Sequence, residues 1–131
     1  DLLRSVGASL TVTDMRYNNL DTESATMLAN IAKEKGISLC GITPDQTEAN
    51  VQGSYLNYMD PADAILLTAD LAVRGSLTKI LVGGNGLGNE GTSILCDALR
   101  ESTVTKVQEL DLRNNGIGPD GAKAIAALCT W

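Results

Sequence analysis

Histidine is absent from this chain of 131 residues, and its absence bears directly on catalysis. Without an imidazole there is no histidine to activate a nucleophile or to bind a metal ion. Asp45 and Glu48, which share an expected loop, form no recognisable metal cage. Four other carboxylates lie in the first turns of expected helices, where the helix dipole favours negative charge. They are Glu23, Asp63, Glu90 and Asp120. The sequence therefore predicts a protein that is not an enzyme and that holds no cofactor and no metal.

Phenylalanine is absent as well, and aromatic residues make up only 3% of the chain. Apolar residues nevertheless reach 44%, so a core of Leu, Ile, Val and Ala in thin layers fits better than one wide centre. A chain of this length is sufficient for one domain with a real core. We expect a single domain over residues 1–131.

An excess of positive charge is also missing, since the formal net charge is −6 and the isoelectric point is near 4.4. Lys and Arg are scattered singly, which argues against nucleic acid or an anionic membrane as the main partner. No apolar run approaches the roughly 18 residues that a membrane span needs, and residues 64–67 are typical of a core. We expect no direct insertion into a membrane.

Cysteine is too scarce for the disulfide framework of a small secreted domain. Cys40, Cys96 and Cys129 each occupy a position that suits a small inward residue, which predicts buried and inert thiols. There is no Asn-x-Ser/Thr acceptor, no visible signal peptide and no initiator Met. We expect an intracellular, cytoplasmic protein. Because residues 1–6 resemble the end of a helix, we interpret the chain as a segment of a longer one.

The positive evidence for a fold begins with residues 107–128. Leu110 and Leu112 alternate with charged residues, which indicates a short strand with one apolar face. Asn115 then turns the chain, and Pro119 opens a helix at its first position. The expected inward stripe of that helix is Ala122, Ile125, Ala126 and Leu128. The unit is a strand, an asparagine turn and a helix.

The same unit occurs thirty residues earlier in the chain. Leu77, Ile80, Val82, Asn85, Leu87, Gly91 and Leu95 precede Val107, Leu110, Leu112, Asn115, Ile117, Gly121 and Ile125 in the same register. Residues 10–20 form a first copy in which Thr13 places a polar residue at a leucine position. We expect a helix after it that is capped by Asp21 or Thr22 and ends at Gly36.

Residues 37–60 depart from this pattern. Residues 37–42 are able to form a strand in which Cys40 and Ile42 point inward. The sequence alone does not decide whether the departure is one stretched unit or two degenerate units.

The remainder of this irregular stretch predicts little regular structure. A polar loop without a helical pattern is expected from Thr43 to about Gly53, and residues 55–58 suit a degenerate strand edge. Asp60 and Pro61 then start a clear helix.

Together these units resemble leucine-rich repeats of the ribonuclease-inhibitor-like kind, with the pattern L-x-x-L-x-L-x-x-N-x-L followed by a helix. Residues 77–87 and 107–117 match it fully, and residues 10–20 match except at Thr13. The resemblance implies an α/β solenoid of about four units, one of them irregular, with parallel strands on the concave side and helices on the convex side. In such a fold the turn asparagines point inward and bind backbone groups; they are Asn18, Asn85 and Asn115.

The resemblance also implies a non-enzymatic module that binds protein partners through its concave strand face, as a scaffold or as a subunit of a larger complex. The outward strand positions mix charged with apolar side chains, as an interface does. They are Val12, Asp14, Arg16, Leu39, Gly41, Thr43, Lys79, Leu81, Gly83, Glu109, Asp111 and Arg113. Tyr55 and Tyr58 of the irregular loop either anchor a partner or cover the neighbouring core. Trp131 is expected to contact a following unit.

Two other functions stay open. GTPase-activating proteins of the Ran-activator type resemble this repeat class, although the loop residues that such an activity needs have no match here. A purely architectural spacer would use none of the outward residues.

Nucleotide binding is a weaker alternative. The pattern G-x-G-x-x-G occurs twice, in residues 86–91 and 116–121, between a strand and a helix. One cofactor needs one such turn, and the matching turn at residues 18–21 contains no glycine. Residues 109–113 alternate, unlike a strand that helices cover on both faces.

Overall fold

Residues 10–130 are described by the computed structural model, and helices alternate with short strands along them. The elements are α1 (Thr22–Lys35), β1 (Glu48–Asn50), α2 (Pro61–Val73), β2 (Lys79–Leu81), α3 (Gly88–Glu101), β3 (Glu109–Asp111) and α4 (Pro119–Cys129). The strands form one parallel sheet in the order β1-β2-β3, and each helix packs on the next one. This is the alternation of an α/β repeat fold, as predicted. The predictions for residues 1–6 and for Trp131 lie outside the described residues.

The core lies between the sheet and the helices, and each strand sends its middle side chain into it. Ala49, Ile80 and Leu110 are paired in register across the sheet. Around Ile80, Leu77 and Leu95 of the same unit have no exposed surface. Burial of such a side chain contributes roughly 1.5–3 kcal/mol, so the layers are held mainly by aliphatic contacts.

The helices begin where the sequence predicts. The Asp21 carboxylate accepts a hydrogen bond of 2.7 Å from the Ser24 amide, and α1 ends at Gly36, whose φ of 68° suits glycine. Asp60 and Asp63 form a reciprocal capping box at the start of α2, because each carboxylate accepts from the other residue's amide.

The far side of α4 is less covered than predicted. Among the described elements α4 packs only on α3, so Ala122, Ala126 and Cys129 are exposed. The inward positions assigned to these three residues are therefore wrong. Cys40 and Cys96 are buried as predicted.

Residues 37–42 do not form the predicted strand. They make only isolated bridges to the first unit, Val12 with Ser38 and Asp14 with Cys40. The Ser38 hydroxyl accepts hydrogen bonds from the amides of Cys40, at 3.3 Å, and Ile42, at 2.9 Å, which curls the backbone. Inward and outward positions therefore no longer alternate, and Leu39 is only 4% exposed. The predicted outward position of Leu39 is wrong.

The strand of this stretch lies instead in the predicted polar loop, at β1. Its Ala49 and Val51 are buried, at the positions of Ile80 and Val82. Met59 replaces Leu87, since the Met59 amide binds Asn85 as the Leu87 amide binds Asn115. Eight positions separate Val51 from Met59, against five between Val82 and Leu87, so three residues are inserted. The predicted strand edge at residues 55–58 is not formed.

No helix within residues 10–130 combines the length and the apolar character that a membrane crossing requires.

Candidate functional site

The outward side of the three strands forms one surface, built in rows. The register places Glu48, Lys79 and Glu109 in one row and Asn50, Leu81 and Asp111 in the next. We call these six residues, with Gln52 and Arg113 at the strand ends, the strand face. The Lys79 ammonium lies 3.7 Å from the Glu48 carboxylate and 3.5 Å from that of Glu109. Exposed ion pairs of this kind contribute at most about 1 kcal/mol, so the row defines a charge pattern more than it adds stability.

An Asp-x-Arg pair occupies the same strand position in the first and the last unit. The Arg16 guanidinium donates to Asp14 at 2.9 and 2.7 Å, and the Arg113 guanidinium donates to Asp111 at 3.0 and 2.8 Å. These hydrogen bonds lower the pKa of both carboxyl groups. Each aspartate therefore stays ionised at neutral pH and fixes its arginine.

The strand face contains an open groove of about 610 Å³, lined by Lys79, Leu81, Glu109, Asp111 and Arg113 together with Gln52. Next to it lies a smaller hollow of about 320 Å³ beside Gly83 and Gly84, which shares Gln52 and Arg113 with the groove. Gly83 takes the strand position that Arg113 holds in the next unit, so no side chain divides the two. The structure thus brings together five of the outward residues that the sequence predicts.

The remaining outward candidates are distributed differently. Val12, Asp14 and Arg16 belong to the first unit, which bridges to residues 38–40 and has no ladder hydrogen bonds to β1. Thr43 is exposed but lies in the turn before β1, where its amide donates to the Gln46 side chain at 3.0 Å, so its predicted strand position is wrong.

Glu48, Asn50 and Gln52 belong to the strand face but were not predicted from the sequence. Their signal is the alternation with Ala49 and Val51, which is short and lies inside a polar stretch. Leu39 is in the core and takes no part in the surface.

The insertion between Val51 and Met59 forms a small loop with an apolar tip. We call residues 54–58 of this segment the tyrosine loop. Tyr55 is 95% exposed, Leu56 82% and Tyr58 57%, so Tyr55 does not cover the core. These are the most exposed large apolar side chains among the described residues, together with Met27 of α1.

Both ends of the tyrosine loop are fastened to the following unit. Gly53 donates to the Gly83 carbonyl at 2.9 Å, and a Cβ on Gly53 would lie only 2.2 Å from the Gly84 carbonyl oxygen. At the other end, the Met59 carbonyl accepts from the Gly86 amide at 2.7 Å, and the Tyr58 ring packs on Gly86. The loop also closes on itself, because the Ser54 amide donates to the Asn57 carbonyl at 2.7 Å. Its position is therefore defined by backbone contacts.

Two turn asparagines join neighbouring units. The Asn85 amide donates to the carbonyls of Val51 and Val82, both at 2.9 Å. Asn115 repeats this, donating to Val82 at 2.9 Å and to Leu112 at 3.0 Å. Both are buried.

Asn18 differs from the other two turn asparagines. It donates to Met15 and Arg16 of its own turn, and it is exposed rather than inward.

The last unit is matched independently of this geometry. Residues 105–126 match the family model of the leucine-rich repeat. This segment is therefore similar to a leucine-rich repeat. It contains β3, the Asn115 turn and most of α4. A comparison with curated proteins found no match. Leucine-rich repeats are in general non-enzymatic protein-interaction modules, so the match suggests protein partners.

In the glycine pattern at residues 116–121, two backbone amides are already hydrogen-bonded to another part of the protein. The side-chain oxygen of Asn89, from α3, accepts hydrogen bonds from the amides of Gly118, at 2.7 Å, and Gly121, at 2.9 Å. A phosphate group at the start of α4 would need such amides. Asn89 therefore serves as a cap supplied by the neighbouring unit, a role that the sequence pattern does not reveal.

Several buried ionisable groups lie around α2, away from residues 105–126. Asp70 is fully buried, and burial raises its pKa to about 6. The Ser38 hydroxyl and Arg74 favour the charged form, but no hydrogen bond of good geometry reaches either Asp70 oxygen. Burial also raises the pKa of the Cys40 thiol, which makes it unreactive. Within residues 10–130, no group of three or more Cys, Asp and Glu side chains is arranged to hold a metal ion.

Proposed function

We propose that this protein is a non-enzymatic module that binds another protein through its strand face. The observation that carries the proposal is the groove of about 610 Å³, whose walls come from adjacent strands in register. The paired strands β2 and β3 form its floor, and the Asp111–Arg113 pair holds one wall in place. A partner would therefore meet a preformed surface, which lowers the entropic cost of binding.

The composition of the groove favours a protein over a small molecule. Leu81 is flanked by Lys79 and Asp111, which is the mixture of an apolar centre and a polar rim expected at an interface. Sites for small molecules are more enclosed and more apolar. The Asp14–Arg16 pair and Val12 extend the surface on the first unit, and the tyrosine loop, with Tyr55 and Tyr58, adds a second contact.

In the same proposal, residues 1–131 form one domain, a curved solenoid of about four units with the strand face on its concave side. The matched leucine-rich repeat supports this for the last unit, and the equivalent asparagine bonds of Asn85 and Asn115 support it for the junctions around β2. The domain would act as a scaffold or as a subunit of a larger intracellular assembly.

A comparative pull-down tests the proposal. The bait is the 131-residue chain, and its variant carries Leu81→Glu and Arg113→Glu in the groove. The matched control carries Met27→Glu and Lys33→Glu, the same two kinds of change on exposed residues of α1. Leu39 is not changed because it is buried. Circular dichroism verifies that all three chains are folded.

The proposal predicts protein partners that the wild type and the α1 variant retain and the groove variant loses. An architectural spacer predicts that charge reversals at Asp14, Arg16, Asp111 and Arg113 leave every interaction intact. Retention of all partners by the groove variant would therefore contradict binding through the strand face.

A further inference from the structure

The tyrosine loop presents apolar side chains to solvent at a fixed position. Exposed loops usually carry small or polar residues, whereas Tyr55 and Leu56 are almost fully exposed here. The loop is not free to fold them back, because Gly53 is in close contact with Gly84 and Met59 is bonded to Asn85 and Gly86. A rigid aromatic tip is the kind of group that dominates interface energies.

The edge of the molecule that carries this tip is acidic. Because the three strands are parallel and each is followed by a helix, α2, α3 and α4 begin at one edge, where the strands end. The tyrosine loop precedes α2 at this edge, and we group the start of α1 with it because α1 follows the equivalent turn of the first unit. The N-caps and first turns of the helices contain no Lys or Arg. Lys123, the next cation in α4, is 3.9 Å from Asp120. The carboxylates of this acidic edge are Asp21, Glu23, Asp60, Glu90 and Asp120.

The arginines closest to this edge do not neutralise it. Arg16 and Arg113 lie at strand ends, and each is already bonded to the aspartate two residues before it. The acidic edge therefore keeps a negative field, in line with the net charge of −6. Such a field accelerates association with a positively charged surface.

We propose that the tyrosine loop inserts into an apolar pocket of a partner protein, and that basic residues surround that pocket. The proposal rests on the proposed function and specifies the partner's chemistry. Tyr55 and Leu56 supply the buried contact, while the acidic edge steers the partner and selects for its charge. Tyr58 packs against Gly86 and so supports the base of the tyrosine loop.

Charge also separates this partner from other occupants. A second copy of the chain would bring two acidic edges together, and an anionic membrane would be repelled in the same way. A zwitterionic membrane lacks the positive charge that the acidic edge would select. The partner that fits both the tip and its surroundings is a basic protein surface.

A peptide-display selection against the wild-type chain tests this, with randomised peptides of 12 residues as probes. Enriched peptides are expected to combine Lys or Arg with large apolar residues. Tyr55→Ser with Leu56→Ser is expected to weaken their binding at least about tenfold, as loss of interface hot spots does. Met27→Ser is the matched control, since Met27 is 57% exposed on α1, and it is expected to leave affinity unchanged.

The charge part of the proposal has its own pair of variants. Glu23→Gln with Glu90→Gln removes two carboxylates of the acidic edge and is expected to slow association severalfold. Glu34→Gln with Glu101→Gln makes the same change at the opposite ends of α1 and α3 and is expected to have no effect.

Four results would each overturn the proposal. They are peptides without a basic bias, equal binding to the wild type and the tip variant, tip-dependent binding to phosphatidylcholine vesicles, and tip-dependent self-association in sedimentation. The outcome is separable from the proposed function. If the groove variant loses its partners while the tip variant keeps them, the strand face binds and only the role of the tyrosine loop is wrong.

Discussion

Asp70 shows how one side chain links packing to pH. Its carboxyl group is fully buried on α2, facing the Ser38 hydroxyl, the Leu39 and Cys40 amides and the Arg74 guanidinium from the same helix. The Cys40 thiol nearby stays neutral because burial raises its pKa, and Asp14, Arg16 and Asp63 also lie close enough to act on that thiol. Asp70 has a pKa of about 6, so its charge changes near neutral pH.

We expect Asp70→Asn to stabilise the protein at pH 7. The folded-state pKa is about 6, above the ordinary aspartate value of 3.8, so the folded state binds the proton more tightly than the unfolded state does. The ionised form costs stability above pH 6, and this cost disappears as the pH falls from about 6 to about 4. Two pKa units correspond to roughly 3 kcal/mol, as an upper bound.

Urea denaturation at pH 5 and pH 7 measures this effect. The difference in unfolding free energy between Asp70→Asn and the wild type is expected to be larger at pH 7 than at pH 5. Asp45→Asn, an exposed change in the turn before β1, is the control and is expected to show no such difference. A wild type and an Asp70→Asn variant with parallel pH profiles would contradict the assignment.

The sequence predicts the roles of some single residues and not of others. The turn asparagines are predictable from the sequence because each makes at least one hydrogen bond to the backbone of its own unit, and the motif records that local need. The sequence does not predict the roles of Asp70 and Asn89, because each role depends on a group about thirty residues away. Asp70 faces Ser38, and Asn89 binds Gly118. A pattern within one unit contains no information about a contact between units.

Among the elements, α4 starts on a cap that another helix supplies. Gly118 offers no side chain at the N-cap position, and Asn89 of α3 accepts from its amide and from that of Gly121. The contact also explains the close packing there, since a Cβ on Gly121 would lie 2.8 Å from the Asn89 side-chain oxygen. The segment at residues 105–126 is thus joined to the preceding unit at its helix start.

We expect Asn89→Ala to lower the unfolding free energy by about 1 kcal/mol, which is typical for loss of a helix cap. Urea denaturation measures the change, and amide hydrogen exchange at Gly118 and Gly121 should become faster. Asn30→Ala on the exposed side of α1 is the matched control and is expected to be neutral, because alanine favours the helix there. Unchanged exchange at the start of α4 would show that Asn89 is not its cap.

The elements differ in how well the sequence predicts them. The helices carry local signals such as Asp21, Gly36 and the Asp60–Pro61 start, and these determine their bounds. The sequence does not predict β1, because a strand of three residues is too short to show a clear alternation of apolar and polar residues, and its flanking residues are polar. Residues 37–42 suggested a strand by composition, but the Ser38 hydroxyl bends that backbone, an effect that apolar patterning does not record.

At the scale of the whole molecule, the strands and the helix starts create two different surfaces. The strand face is polar, its charges are largely paired within the surface, and it contains an open groove. The edge where the helices begin is acidic and carries the apolar tip. A partner that reaches from the groove to the tyrosine loop would contact both surfaces. The charges of the strand face would set its orientation, and the apolar side chains of the tyrosine loop would contribute most of the affinity.

Lysine footprinting is the most direct measurement of the central claim, that a protein partner covers the strand face. The free chain and its complex with a partner retained in the pull-down are acetylated briefly, and each lysine is quantified by mass spectrometry. Lys79 is the lysine of the strand face, and 40% of its side chain is exposed. Its acetylation is expected to slow at least severalfold in the complex, while Lys33 of α1 and Lys123 of α4 keep their rates. Unchanged acetylation of Lys79 together with protection of Lys33 and Lys123 would contradict the account and assign binding to the helical side.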